Sequence, residues 1–320
     1  MAKKVWILFF LLLARLAVGV PKYLVVDLAG GPRALSYPVQ TLEAVPAKGW
    51  GEAYKGRYLV LRRIEAGRFL MGEQKQTVRY EMGARILTVH LGTEWRQETV
   101  HPVSLTRAYY IGVFELTQAQ WCAVMGPRTF ADFPGPNHPA NRLSYEALRG
   151  AGSGAQWPDV DTPDPESFLG RLRAKTGLAF DLPTEAQWEY ACRAGTSTHL
   201  YTGRNLEMGE KDPGLDKLGR YYYNGGEKHG TAPVGSYPPN GWGLYDLYGN
   251  VEEWCLDRQQ RDLGTAEAVD PVGPRTGLYH ALRGGSWFDS AQSCRSAARN
   301  FYFPTCDSVY FGARLVCPAE

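Results

Sequence analysis

None of the six cysteines in this 320-residue chain forms a C-x-x-C pair, so zinc ribbons and thioredoxin-like redox chemistry have no support. The six histidines show neither H-x-x-x-H nor H-E-x-x-H spacing, which removes the helix-borne metalloprotease signature. Ser286, in Gly284-Gly285-Ser286-Trp287, lacks the G-x-S-x-G elbow of a hydrolase nucleophile, and a loop serine satisfying backbone groups is the expectation. Basic excess is missing too. A formal charge of +2 offers no stripe of cations to neutralise phosphates, so nucleic acid is not an expected partner. There are no heptads and no internal repeats. The apolar run Val5–Leu13 is far short of the roughly 20 residues a spanning helix needs.

What is present begins with a leader. Lys3 and Lys4 precede that apolar run, and Ala17-Val18-Gly19 follows it with small residues. This order reads as a signal peptide over 1–19, cleaved after Gly19, leaving an exported protein with no stable membrane span. An even number of cysteines in an exported chain permits disulfides, and one or two structural bridges are expected. Hydrophobic residues at 44% and charged residues at 21% suit a globular protein with a substantial core.

Residues 20–55 read as an N-terminal extension with a short strand at 23–28, ahead of a main domain over 56–320. Further strands are expected at 58–61 and in a hairpin over 62–72. Helix signals are few. Thr117 with Gln120 and Thr184 with Gln187 have capping-box spacing, and Asp164-Pro165 is placed to open a helix over Phe168, Leu169 and Leu172. The stretch 150–163 reads as an exposed loop, and after Gly195 helical periodicity is scarce. The pattern is α+β with little regular secondary structure.

From about Ile64 onward the ordered motifs GRFLMG (67–72), YYIGVFELTQAQW (109–121), LPTEAQWEYACRAGT (182–196), GTAPVGSYPPNGWGLYDLYGNVEEW (230–254), LRGGSW (282–287) and GARLV (312–316) resemble the formylglycine-generating-enzyme, or sulfatase-modifying-factor, family. The resemblance implies a C-type-lectin-like α+β fold. It also implies a structural calcium held by side-chain oxygens of Asp246 and Glu253 and backbone carbonyls of Gly249 and Val251. An all-oxygen cage of this kind suits calcium. Glu252 stands where the family usually has Trp. A second calcium site of the family would fall near Asn224 and Glu227, where this chain is shortened, and is not carried over.

Family enzymes bind copper through two thiolates shortly after RGGS, a soft-ligand site suited to Cu(I). Here those places fall at Ala291 and near Asp289, and Cys294 occupies neither. Copper is therefore not expected. The sulfoxide synthases that pair this fold with a histidine-bearing helical domain are disfavoured as well, because no His lies between Gly19 and Gly56.

The same C-terminal stretch has a second resemblance. RGGSW, Ala291-Gln292, Cys294–Ala297, Arg299, Gly312 and Arg314–Val316 form a framework similar to the target segment of diversity-generating retroelements. Positions between them, including Phe288, Asp289, Ser290, Ser293, Ala298, Asn300, Tyr302, Asp307, Ser308 and Tyr310, are then the expected ligand-binding residues. Aromatic, Asp, Asn and Ser side chains suit an adaptable binding surface for a protein or glycan. Phe303, before Pro304, is expected in the core. The first functional expectation is thus a non-catalytic ligand-binding module. The second is an oxygen- or metal-dependent oxidase of the family acting through a displaced site.

Overall fold

The computed structural model describes residues 20–73, 76–82, 85–91, 98–226 and 229–319. The leader expected over 1–19 lies outside them. Among the described residues no helix is long and apolar enough to cross a membrane.

Strands β1 (Tyr23–Asp27), β2 (Val39–Leu42), β3 (Tyr58–Ile64), β4 (Gly67–Met71), β5 (Gln76–Met82), β6 (Arg85–Leu91), β7 (His101–Leu105) and β8 (Tyr109–Gly112) form the first third of the chain. Helices α1 (Gln118–Met125), α2 (Tyr145–Arg149), α3 (Phe168–Thr176) and α4 (Glu185–Arg193) follow. The chain closes with β9 (Glu252–Arg258), β10 (Ala268–Val269), β11 (His280–Arg283), β12 (Arg299–Tyr302), β13 (Phe311–Gly312) and β14 (Val316–Pro318). The helices are short and the connections long, an α+β chain with little regular structure.

Side-chain alternation explains the first sheet, ordered β14-β8-β3-β1-β2. In β3, Leu59 and Leu61 point into a core with Trp121, Tyr145, Phe168 and Trp254, while Val60 packs on the other side with Tyr23, Val25 and Phe114. The segment read as an extension supplies β1, which pairs with β3 from Tyr23↔Arg62 to Asp27↔Tyr58 and so sits inside this sheet. The residues 62–72 do turn back, but β4 leaves for a second sheet of order β10-β7-β4. A third sheet, β12-β11-β9-β13, carries the C-terminal segment.

Both capping boxes form. Thr117 Oγ1 accepts from Gln120 N while Gln120 Oε1 accepts from Thr117 N, and Thr184 with Gln187 repeats the arrangement. The third helix differs from expectation: it starts at Phe168 with Ser167 as its cap. Asp164 is spent on the preceding loop, where its carboxylate accepts from Gly152 N, Gly154 N and Ser153 Oγ. The expected disulfides are absent as well. All six cysteines lie among the described residues and none is bridged. Cys192, Cys255 and Cys294 are instead small apolar fillers in one buried cluster with Trp188 and Tyr248.

Candidate functional site

The C-terminal segment rests on buried ion pairs. Arg283 leads out of β11, its Nη2 reaching Glu189 on α4 and the Ser296 carbonyl at 2.8 Å. Arg299 at the start of β12 forks onto Glu185, with Nε to Oε1 at 2.9 Å and Nη2 to Oε2 at 2.5 Å. Arg295 spans Glu98, at 2.8 and 3.0 Å, and Glu73. Each of these arginines is buried, at 3% exposure or less. A buried charge left without its partner costs about 3–5 kcal/mol, so these pairs fix the path of the chain between β11 and β12.

Two glycines make that path possible. Gly284 and Gly285 take φ of 97° and 71°, in the left-handed region. A Cβ on Gly285 would stand 2.6 Å from Cys294 Sγ and 2.8 Å from the Ser293 carbonyl oxygen. The turn therefore closes tightly over 293–294.

Against this frame the expected ligand residues separate. Phe288 (52% exposed), Tyr302 (43%) and Asp307 face solvent, and Asp289, Ser290, Asn300, Ser308 and Tyr310 are half-buried. Ser293 and Ala298 are corrections: they are 9% and 2% exposed, Ser293 because the Gly285 turn closes over it and Ala298 because it lies between the inward-pointing Arg295 and Arg299. Phe303 is a correction in the other direction, 48% exposed with its ring 4.5 Å from that of Tyr279. Asn300 is committed as well, donating through Nδ2 to both oxygens of Glu252 at 2.8 and 3.0 Å. The acid at the position where the resemblance has Trp thus gains a partner. Asp289 is a turn cap: its Oδ2 accepts from Ser286 N at 2.9 Å and Ser286 Oγ at 2.6 Å.

The structure also brings up residues that the sequence reading missed. Asp289 O accepts from Tyr222 N, which docks the 221–226 stretch beside Phe288. The Tyr222 ring lies 5.5 Å from Phe288, 5.2 Å from Tyr223 and 4.7 Å from His229. Trp287 sits beneath, its ring 5.0 to 5.4 Å from those of Phe133, Tyr310 and Phe288. The run Tyr221-Tyr222-Tyr223 was the signal available in the sequence. Tyr221 is fully buried while Tyr222 and Tyr223 are 38% and 37% exposed.

Neither place of the copper pair carries sulfur. Ala291 is fully buried and Asp289 is engaged as above. Cys294 is fully buried, below the turn. Burial also pushes the Cys192 and Cys317 thiols up to about 11, against metal-binding thiolate character.

The expected calcium ligands sit on the β9 approach. Asp246 and Glu253 are 2% and 1% exposed, and Glu115, also at 1%, lies in the same charged neighbourhood. Arg314 is the compensating cation. Its Nε lies 3.1 and 3.0 Å from the two oxygens of Glu253 and its Nη2 2.7 Å from Oε1. Glu253 Oε2 also accepts from Trp188 Nε1 at 2.6 Å. Burial, then the charges of Asp246 and Glu253, raise Glu115 well above the usual carboxylate range. Burial raises Asp246 to about 6. With Glu115 held protonated by its shift, Asp246 and Glu253 face one guanidinium, and a hard divalent cation would offset the remaining negative charge. The oxygen donors are of the type calcium takes, with Glu253 committed to Arg314 and Trp188 and Asp246 the less committed carboxylate. Among the described residues no three His, Cys, Asp or Glu side chains group to hold a metal, so such a site depends on backbone carbonyls for the rest of its shell.

This arrangement defines a class first: an irregular α+β scaffold that holds a C-terminal segment across its third sheet on buried arginines. The family model for the sulfatase-modifying factor enzyme 1-like domain matches residues 51–319, and the chain belongs to that family. It is 37% identical over 194 residues to the formylglycine-generating enzyme of Mus musculus, covering 52% of this chain and 50% of the mouse protein. To the formylglycine-generating enzyme of Streptomyces coelicolor it is 40% identical over 147 residues, covering 43% and 47%. The chain thus spans about half the length of the curated relatives it matches. Among solved structures, Treponema denticola variable protein 1 superposes with a TM-score of 0.60 at 27% identity, over 82% of this chain and 95% of that one. PvdO from Pseudomonas aeruginosa, with a TM-score of 0.62 at 21% identity over 81% and 94%, shares the fold.

Proposed function

We propose that this is an exported, non-catalytic ligand-binding protein that uses the sulfatase-modifying-factor scaffold to present its C-terminal segment, and that a structural calcium braces the scaffold at Asp246, Gly249, Val251 and Glu253. The observation carrying the reading is the division within 283–314. Framework arginines and glycines are buried and paired, while Phe288, Tyr302 and Asp307 project from them. The likeness to a variable protein over most of both chains supports this reading, as does the framework shared with retroelement target segments. Asp289 and Ala291 in place of thiolates speak against copper-dependent oxidation.

Identity to formylglycine-generating enzymes favours the second reading, an oxidase with a displaced site. Copper at stoichiometric level in purified protein would support it over the first.

The test is paired melting curves. Phe288→Ala and Tyr302→Ala are expected to move stability by less than about 0.5–1 kcal/mol. Trp287→Ala, at 7% exposure, should cost roughly 3–5 kcal/mol. If Phe288→Ala and Tyr302→Ala unfold the protein as badly as Trp287→Ala does, the segment is core and presents nothing.

A further inference from the structure

Away from the C-terminal segment the surface opens into a cleft of about 910 Å³. It lies between the first two sheets. β14 and the start of β8 line it from one, and the end of β7 with the chain after β10 from the other. The α3–α4 connection, Trp157 and Asp161 complete it. No residue from 283 to 314 lines the cleft, so it is separate from the surface proposed above. Its volume falls within the roughly 300–1,000 Å³ of small-molecule sites.

Three features set what it can hold. The lining is mostly apolar, running from buried Leu182 and Val316 through half-buried Trp157 and Pro271 to exposed Val272 and Pro318. Polar groups along it are spent within the protein. Tyr109 Oη donates to the Gln187 carbonyl at 2.7 Å, Trp157 Nε1 to that of Val272 at 3.0 Å, and Arg173 Nε to that of Phe180 at 2.6 Å. The Asp270 carboxylate accepts from Thr106 N at 2.8 Å and from its hydroxyl. A ligand hydroxyl or amide pressed against such groups gives up water without gaining a partner.

The charges also balance. Arg63 pairs with Glu65, and Asp181 is shared by Arg173 and, behind it, Arg149. Adding Arg107 to these cations and Asp161 and Asp270 to these carboxylates gives four of each sign. An ion of either sign would shed its hydration with no net charge to compensate it.

We infer that this cleft is a binding site for a neutral, apolar small molecule, held by burial of its surface rather than by hydrogen bonds. It stands independently of the reading of the C-terminal segment. The Trp157–Val272 hydrogen bond ties two of its walls together, and a wall set in advance lowers the ordering cost of binding.

The experiment titrates the full protein with N-phenyl-1-naphthylamine, a neutral probe that brightens on leaving water. The bound probe is then displaced by decanol, decanoate or decyltrimethylammonium, each below its micellar concentration. Decanol is expected to displace it at a concentration at least about tenfold lower than either ion requires. Two substitutions at exposed lining positions place the site: Ala179→Trp fills the cleft, and Val272→Asp puts an uncompensated charge in its wall. Each should weaken probe binding at least about tenfold while keeping the wild-type melting curve. Displacement by either ion within tenfold of decanol would overturn the neutral assignment. Absence of probe binding, or a smaller loss in a variant that melts like wild type, would overturn the site itself.

Discussion

Single ionisable side chains in this core are placed where protonation has a sign that can be worked out. His280 is buried, stacks on Tyr145 at 3.8 Å between centroids, and has Nδ1 3.1 Å from the Leu256 carbonyl oxygen. Burial, with Arg258 close by, holds its imidazole down to about 3. The unfolded chain takes up that proton near pH 6.5. The stability that neutral His280 contributes is therefore complete above about pH 6.5 and is lost progressively as pH falls towards 3. His280→Phe keeps a ring against Tyr145, and its unfolding free energy should fall less over pH 6.5 to 3.5 than that of wild type. Parallel slopes in denaturant titrations would contradict this. Asp246 gives the second test at this scale. A cation bound only by the folded state raises stability by about 2.7 kcal/mol at a hundred times its Kd. Chelator should lower the melting temperature, and Asp246→Asn, which leaves the Glu253–Arg314 pair alone, should abolish that response. An unchanged melt in chelator would sink the calcium site. The sequence made Asp246 and Glu253 visible through one motif. Glu115 and Arg314, far away in the chain, set their charge balance and were not legible there.

Among elements, what the sequence revealed was what is decided locally. Thr117 with Gln120 and Thr184 with Gln187 are three residues apart, and both capping boxes formed as read. Asp164-Pro165 misled because the carboxylate found partners upstream in 152–154, and α2, only five residues long, carries too little periodicity to be seen. Ser293, Ala298 and Phe303 were misplaced because the pairing of β12 with β11 and the anchors at Glu185 and Glu98 decide which way they point. The 221–226 stretch belongs to the same class of long-range effects. Here a guanidinium gathers carbonyls near the stretch where the family's second calcium site, not carried over to this chain, would fall. Arg220→Ala should leave those carbonyls without their donor and cost about 1–3 kcal/mol. Backbone amides of residues 221–226 should then exchange faster while those of β9 and β11 do not. Uniform protection across both regions would show that Arg220 does not hold the loop.

Over the whole molecule, the first sheet is closed by its last strand. β14 pairs with β8 through Val316↔Ile111 and Pro318↔Tyr109, and Val316 also bridges to Asp181 by reciprocal backbone hydrogen bonds of 2.7 and 2.9 Å. The other strands of that sheet all come from the first 112 residues. A chain ending at Leu315 would leave the edge of β8 open and remove Val316 and Cys317, which are 5% and 3% exposed, from the core. It should melt well below wild type and yield to protease along β1–β3. A wild-type melting curve would show the closure to be dispensable.

The position of that strand bears on how changes in the C-terminal segment are tolerated. Residues 288–310 are synthesised before 316–318, and the later strand can dock only if the earlier path from β11 to β13 is sound. A side chain that merely alters the surface leaves closure untouched. One that derails the path withholds the last strand, leaving the amino-terminal sheet open to proteolysis. The end of the chain latches onto the beginning only after the segment between β11 and β13 has taken its path, so the first sheet reports whether that segment has folded.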